Sequence, residues 1–295
     1  MVNDEPEVPW ADEIPAGAFI TKGPTFKVGE YFDRFHMDVF RGTSAGDLRY
    51  YFYDPTEHGY PEKEDYPLII FLHGVSNSLE GDVCINYTGA EFFATDEYQA
   101  DFGGAYLLVP LANEKNDDKG MRGFWGDEYT VPLYDLIHDF IKEKTPGVGK
   151  KIIIGNSAGG LMAFKMVTQY TDSFDALLPA GSGAVPDDII LDRYDEKGIY
   201  LFIAMSMHDE LHDFDVELGP RLSRLRRMKH CVLFTPDWTY SGDHCIQSIY
   251  VNLEMGQHCI INPLHANLKF DDGTPMDEKL PRGVTGWIDD VIHNR

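Results

Sequence analysis

The stretch Lys150 to Leu161, KKIIIGNSAGGL, limits this chain more than any other. Three consecutive isoleucines, Ile152 to Ile154, read as a strand covered on both sides, and the run breaks at Gly155-Asn156-Ser157-Ala158-Gly159-Gly160 before helix-forming residues resume at Leu161. A buried strand, a tight turn and a helix are therefore expected in that order. The turn carries the G-x-S-x-G spacing, in which small residues flank a serine because its strained backbone leaves no room for side chains on either side. Ser157 would project its hydroxyl beyond the sheet edge, while the first amides of the new helix stay free to bind an anion. With 28 glycines in 295 residues the pentapeptide can also arise by chance as an ordinary strand-to-helix turn. Its place between an apolar β-branched run and an amphipathic helix is what gives it meaning.

The rest of the chain reads as an α/β protein around that stretch. Residues 1–18 are acidic and proline-rich and read as an extended arm; Lys27 to Arg34 and Arg49 to Tyr53 read as an opening antiparallel hairpin. Buried parallel strands are predicted at Pro67 to Leu72, Ala105 to Pro110, Phe174 to Ala180, Ile199 to Ser206 and His230 to Thr235. Helices are predicted at Gly89 to Gln99, Val131 to Lys144, Phe214 to Met228, His244 to Leu253 and Gly283 to His293, the last with Trp287, Ile288, Val291 and Ile292 on one face. Gly181 to Gly198 provides only about 18 residues between two strands, too few for an elaborate helical lid. With no repeat or linker, the expectation is a single domain over 1–295, with 255–295 a C-terminal extension ending in a helix.

Charge and composition remove several function classes. Acidic residues outnumber basic ones by 49 to 25, a formal charge of −24, which repels phosphate backbones and anionic lipids; neither nucleic acid nor membrane is expected as a partner. The first residues show neither a basic start nor an apolar core, and four cysteines lie far apart, so free thiols and a cytoplasmic location are the expectation.

A serine hydroxyl is a poor nucleophile at neutral pH. It needs a base to take its proton and a carboxylate to hold that base in the useful tautomer. Behind this turn the chain order is Ser, then Asp or Glu, then His. Two loops beyond predicted strands fit: Met205 to Glu210, and Tyr240 to His244. His244 is preferred as base because it follows the last predicted core strand in a small flexible stretch; His258 and His265, further along, are the runners-up. Asp209 is preferred over Glu210 and Asp213 because it lies nearest its strand end, and Asp243 reads as shaping its loop. His208, Asp209, His212 and Asp213 could instead be metal ligands, but they lack any zinc spacing. After the strand at 67–72, His73-Gly74-Val75 faces the crevice side of an open sheet, so the Val75 amide could be an oxyanion donor, or the loop a plain turn. His73 reads as support for that loop. Trp125 is either a wall of a substrate pocket or the anchor of a surface loop.

Taken together, His73-Gly74, Gly155 to Gly160, His208-Asp209-Glu210 and Gly242-Asp243-His244 resemble the α/β-hydrolase superfamily from about Tyr66 to Tyr250. The sequence is similar to its lid-poor esterases of the feruloyl esterase, acetylxylan esterase and polyhydroxybutyrate depolymerase type. The resemblance implies a mostly parallel central sheet with helices on both faces, little or no lid, and hydrolysis of carboxylic esters through an acyl-enzyme. Ser157, Asp209 and His244 match the catalytic positions, and the amides of Val75 and Ala158 match the oxyanion hole. His73, Gly74, Asn156 and Trp125 are left as substrate-binding positions. No metal or organic cofactor is implied, and the substrate would be a small-molecule or oligosaccharide ester. Only Gly242 represents the usual glycines beside the histidine, and the long tail could add to the pocket or to an oligomer contact. The same chemistry could serve a serine peptidase or thioesterase, and the same fold a non-catalytic binding protein.

Overall fold

The computed structural model describes residues 19–21, 29–75, 89–113, 123–237, 239–241, 257–270 and 272–295. Ten strands are present among them: β1 Phe19–Thr21, β2 His36–Thr43, β3 Gly46–Tyr53, β4 Leu68–Leu72, β5 Tyr106–Pro110, β6 Lys151–Asn156, β7 Ala176–Ala180, β8 Tyr200–Ala204, β9 Cys231–Phe234 and β10 Thr239–Ser241. Eight form one sheet in the order β2-β3-β5-β4-β6-β7-β8-β9, and β1 pairs with β10 outside it. The hairpin β2–β3 is antiparallel, as is its junction with β5; from β5 to β9 every pairing is parallel.

Period-two alternation sorts the parallel strands onto two cores. Leu68, Ile70, Leu72, Ile153, Leu177, Leu201 and Ile203 face one cluster, which includes residues of the helices Thr130–Lys144, Ala158–Gln169 and Asp188–Lys197. Ile69, Phe71, Ile152, Ile154, Leu178 and Phe202 face the other, with the helices Asp96–Phe102 and Gly283–His293. Helices therefore cover both faces, and this is why β4, β6, β7 and β8 read as continuous apolar runs. Each fully buried leucine or isoleucine contributes about 1.5–3 kcal/mol relative to an exposed one.

Local chemistry explains where the elements depart from the expected boundaries. The first hairpin strand lies at His36–Thr43, not 27–34. Residues 29–35 coil instead through turns, because the Gly29 and Tyr31 N–H groups donate to the buried Glu91 carboxylate at 3.0 and 3.1 Å. The helix expected over 89–99 is two short ones, Ala90–Phe93 and Asp96–Phe102; Thr95 between them is extended and caps the second by accepting from Tyr98 N–H. Likewise the segment 214–228 breaks at Gly219-Pro220 into Phe214–Glu217, a 3-10 turn at Gly219–Arg221 and Leu222–Leu225, since proline has no N–H to continue a helix. The ten-residue helix Asp188–Lys197 occupies the short connection between β7 and β8. The arm at 1–18 and the helix expected at 244–253 lie outside the described residues.

Candidate active site

Parallel strands end together, and their register brings distant loops to one edge. Leu72 pairs with Gly155, Asn156 with Ala180 and Ala180 with Ala204. Val75 and Ala158 therefore each stand three residues beyond paired positions on adjacent strands, and the loop carrying Asp209 leaves the same edge.

Ser157 directly follows β6, with φ 53° and ψ −117°. For a residue with a Cβ this is a strained backbone, costing about 1–3 kcal/mol. The surrounding glycines make it possible. A Cβ on Gly155 would lie 2.2 Å from the Gly159 carbonyl oxygen, and one on Gly159 would lie 2.1 Å from that of Leu72. The Ser157 N–H donates to Ala180 O at 2.7 Å, and its carbonyl accepts from Gly160 and Leu161. Helix Ala158–Gln169 starts at the next residue, so the Ala158 N–H has no acceptor within that helix.

The imidazole on Ser157 belongs to His258. Its Nε2 lies 2.8 Å from Ser157 Oγ, and its Nδ1 lies 3.0 Å from both carboxylate oxygens of Asp209. A carboxylate only accepts, so Nδ1 is assigned the proton and Nε2 is left to accept from the serine hydroxyl. Both side chains are closed off, with 5% exposure at His258 and 0% at Asp209. Burial by itself would raise the Asp209 pKa. The hydrogen bond and charge of His258, with the Leu211 N–H, outweigh it and hold the carboxyl below its ordinary value.

Of the three histidines weighed from sequence, the preferred one, His244, lies outside the described residues, and His258 makes the contact. His265 is buried elsewhere in the packing, stacked on Phe92 at 4.2 Å, with its pKa pushed down to about 3 by burial. The signal that could have favoured His258 is the apolar pair two and three positions beyond it. Ile260 and Ile261 are buried and anchor the chain there, as a loop-borne base requires.

His73 and Trp125 lie behind the edge. His73 is fully buried; its Nδ1 donates to Gly74 O at 2.6 Å and its Nε2 accepts from Ala112 N at 3.0 Å. Burial lowers its pKa to about 4, which keeps it neutral and suits that pair of bonds. The Trp125 indole N–H donates to His73 O at 2.9 Å. Indole and imidazole together tie the loop after β4 to the loop after β5. Asn156 is also buried, and among the described residues its Oδ1 has no hydrogen-bond partner.

The four residues weighed as metal ligands each have another partner. His208 pairs with Asp237, His212 with Glu217 and Asp209 with His258, while Asp213 caps the helix Phe214–Glu217. Among the described residues no group of three His, Cys, Asp or Glu side chains has an arrangement that could hold a metal ion.

No family model matches the sequence, and no curated protein matches it. Solved structures do. Brefeldin A esterase, a bacterial homologue of human hormone-sensitive lipase, aligns with a TM-score of 0.52 at 12% identity over 93% of this chain and 82% of its own. The chain has the α/β-hydrolase fold. A thermostable esterase shares that hydrolase fold with a TM-score of 0.56 and 18% identity over 78% of this chain; the match spans 60% of the esterase. A feruloyl esterase module from Clostridium thermocellum, complexed with sinapinate, aligns at 0.50 and 11% identity over 87% of this chain and 97% of its own. Among the described residues, no helix of the hydrolase fold is long and apolar enough to cross a membrane.

Proposed function

We propose that this chain is a serine hydrolase of small carboxylic esters, with Ser157 as nucleophile, His258 as general base and Asp209 as the carboxylate that orients it. What supports the reading is the continuous hydrogen-bond chain from Ser157 Oγ through both nitrogens of His258 to Asp209, built on a strained serine at the carboxyl edge of the sheet. His258 Nε2 takes the serine proton as Oγ attacks the ester carbonyl, and Asp209 stabilises the imidazolium that results. The amides of Val75 and Ala158 bind the oxyanion, a single donor of this kind contributing about 3 kcal/mol. The imidazolium returns its proton to the leaving alcohol. A water deprotonated by the same nitrogen then releases the acid.

Feruloyl esters enter as a candidate substrate class because one structural neighbour is a feruloyl esterase module bound to sinapinate. Turnover of nitrophenyl acyl esters and methyl hydroxycinnamates by wild type and Ser157→Ala, side by side, tests the proposal. The expected result is hydrolysis by the wild type, lost by a factor on the order of 10⁶ in the variant. A Ser157→Ala protein with unchanged turnover would remove the serine mechanism, and no wild-type activity on any ester would remove the ester reading.

A further inference from the structure

Asp209 and Glu210 are consecutive carboxylates, and both grip the same distant residue in different ways. Asp209 holds the ring of His258. Glu210 holds its backbone: Oε2 accepts from the His258 N–H at 2.8 Å and Oε1 from the Gln257 N–H at 3.0 Å. Two further contacts seat this segment. Ser206 Oγ donates to Gln257 Oε1 at 3.0 Å, and a Cβ on Gly181, whose φ is +56°, would lie 2.7 Å from the His258 carbonyl oxygen. The loop leaving β8 therefore supplies a bond to the His258 ring, one to each backbone amide and one to the neighbouring side chain.

We propose that Glu210 is a positioning residue for the reaction, a carboxylate clamp that fixes where the His258 backbone sits and so sets the distance from Nε2 to Ser157 Oγ. This rests on the reading of His258 as the general base. Asp209 fixes one edge of the imidazole, but a ring bonded only at Nδ1 can still swing as its Cα shifts. Two charge-assisted bonds to adjacent amides remove that shift, and each is stronger than a neutral counterpart. Glutamine at 210 offers a single acceptor oxygen; its amide nitrogen would meet the other N–H as donor against donor. The His258 backbone would then relax, and a displacement of about 1 Å between reacting groups lowers a rate about 100-fold.

Steady-state kinetics on a nitrophenyl ester, with wild type, Glu210→Gln, Glu210→Asp and His258→Ala, test the clamp, alongside the rate of Ser157 labelling by a fluorophosphonate and the melting temperature. The expected result for Glu210→Gln is a kcat lower by roughly 10-fold to 100-fold with KM within about twofold of wild type, serine labelling slowed in parallel, and the melting temperature held within a few degrees. Glu210→Asp, which keeps the charge on a shorter arm, recovers part of the loss. The clamp is overturned if Glu210→Gln turns over at the wild-type rate while His258→Ala is inactive, or if its lost activity follows lost folded protein and Glu210→Asp recovers nothing. His258→Ala retaining full turnover would instead remove the base assignment itself, an outcome distinct from either.

Discussion

The two ends of β6 follow opposite rules. At its start the chain is satisfied locally: Lys150 O accepts from Leu68 N, Lys151 O from Asp175 N, and Gly149 N donates to Tyr66 O, all within 2.9 Å. Charges there are also paired, with Lys150 on Asp175 at 3.0 Å and Lys63 on Asp65 at 3.6 Å. A cavity of about 650 Å³ opens at this edge, with Lys63, Asp65, Lys150 and Asp175 among its lining residues. At its end β6 runs into a serine with positive φ, and the neighbouring Asn156 Oδ1 and Ser182 Oγ are buried without hydrogen-bond partners among the described residues. Strain and unpaired polar atoms cost stability and persist where the surroundings impose them. The strained backbone lies at the edge where the catalytic chemistry is proposed.

The contrast can be tested most sharply at the carboxyl edge. Asp209→Asn should lower kcat on nitrophenyl esters by about 10³-fold to 10⁴-fold, because an amide can donate to Nδ1 and favours the wrong tautomer. The same variant has a pH signature. The Asp209 carboxyl sits below its ordinary value of 3.8 in the fold, so its stabilisation is present above that pH and is lost as pH falls through the folded value. Acid unfolding followed by fluorescence should show a shallower acid limb for Asp209→Asn; an unchanged limb would contradict the paired state of this carboxylate.

A smaller effect is expected beneath the serine. Gly159→Ala forces a Cβ to within 2.1 Å of the Leu72 carbonyl oxygen, and overpacking of this kind costs about 1–3 kcal/mol. A lower melting temperature together with reduced kcat checks it, since the shift moves both the serine and the strand that leads to Val75. A variant as stable as wild type would mean that the strand and helix do not approach this closely.

At the amino edge the expected effect is least. Asp175→Asn removes the charge opposite Lys150, two side chains 29% and 27% exposed, but keeps an oxygen for the Lys151 N–H. It should cost about 1 kcal/mol or less and leave kcat unchanged. A substantial loss of turnover there would erase the distinction between the two ends.

The sequence by itself determined the parts of this protein that depend on near neighbours. Apolar runs announce β4, β6, β7 and β8, and the glycines around Ser157 announce the strained turn, because the conflict between a Cβ at position 155 and the Gly159 carbonyl is local. The proposal of Asp209 also came from local logic, a carboxylate just past a strand end. Tertiary structure decided what local pattern could not. Glu91 drew residues 29–35 off the expected strand through amides about 60 positions away. His258 reaches Ser157 across 101 positions, and which of several histidines makes that contact depends on how the chain returns after β9. Periodicity records which face of an element is buried; it carries no record of a loop's return path. The place of His258 is held by long-range contacts such as the Glu210 bond to its N–H and the buried Ile260 and Ile261, which exist only once the sheet has brought its loops to one edge.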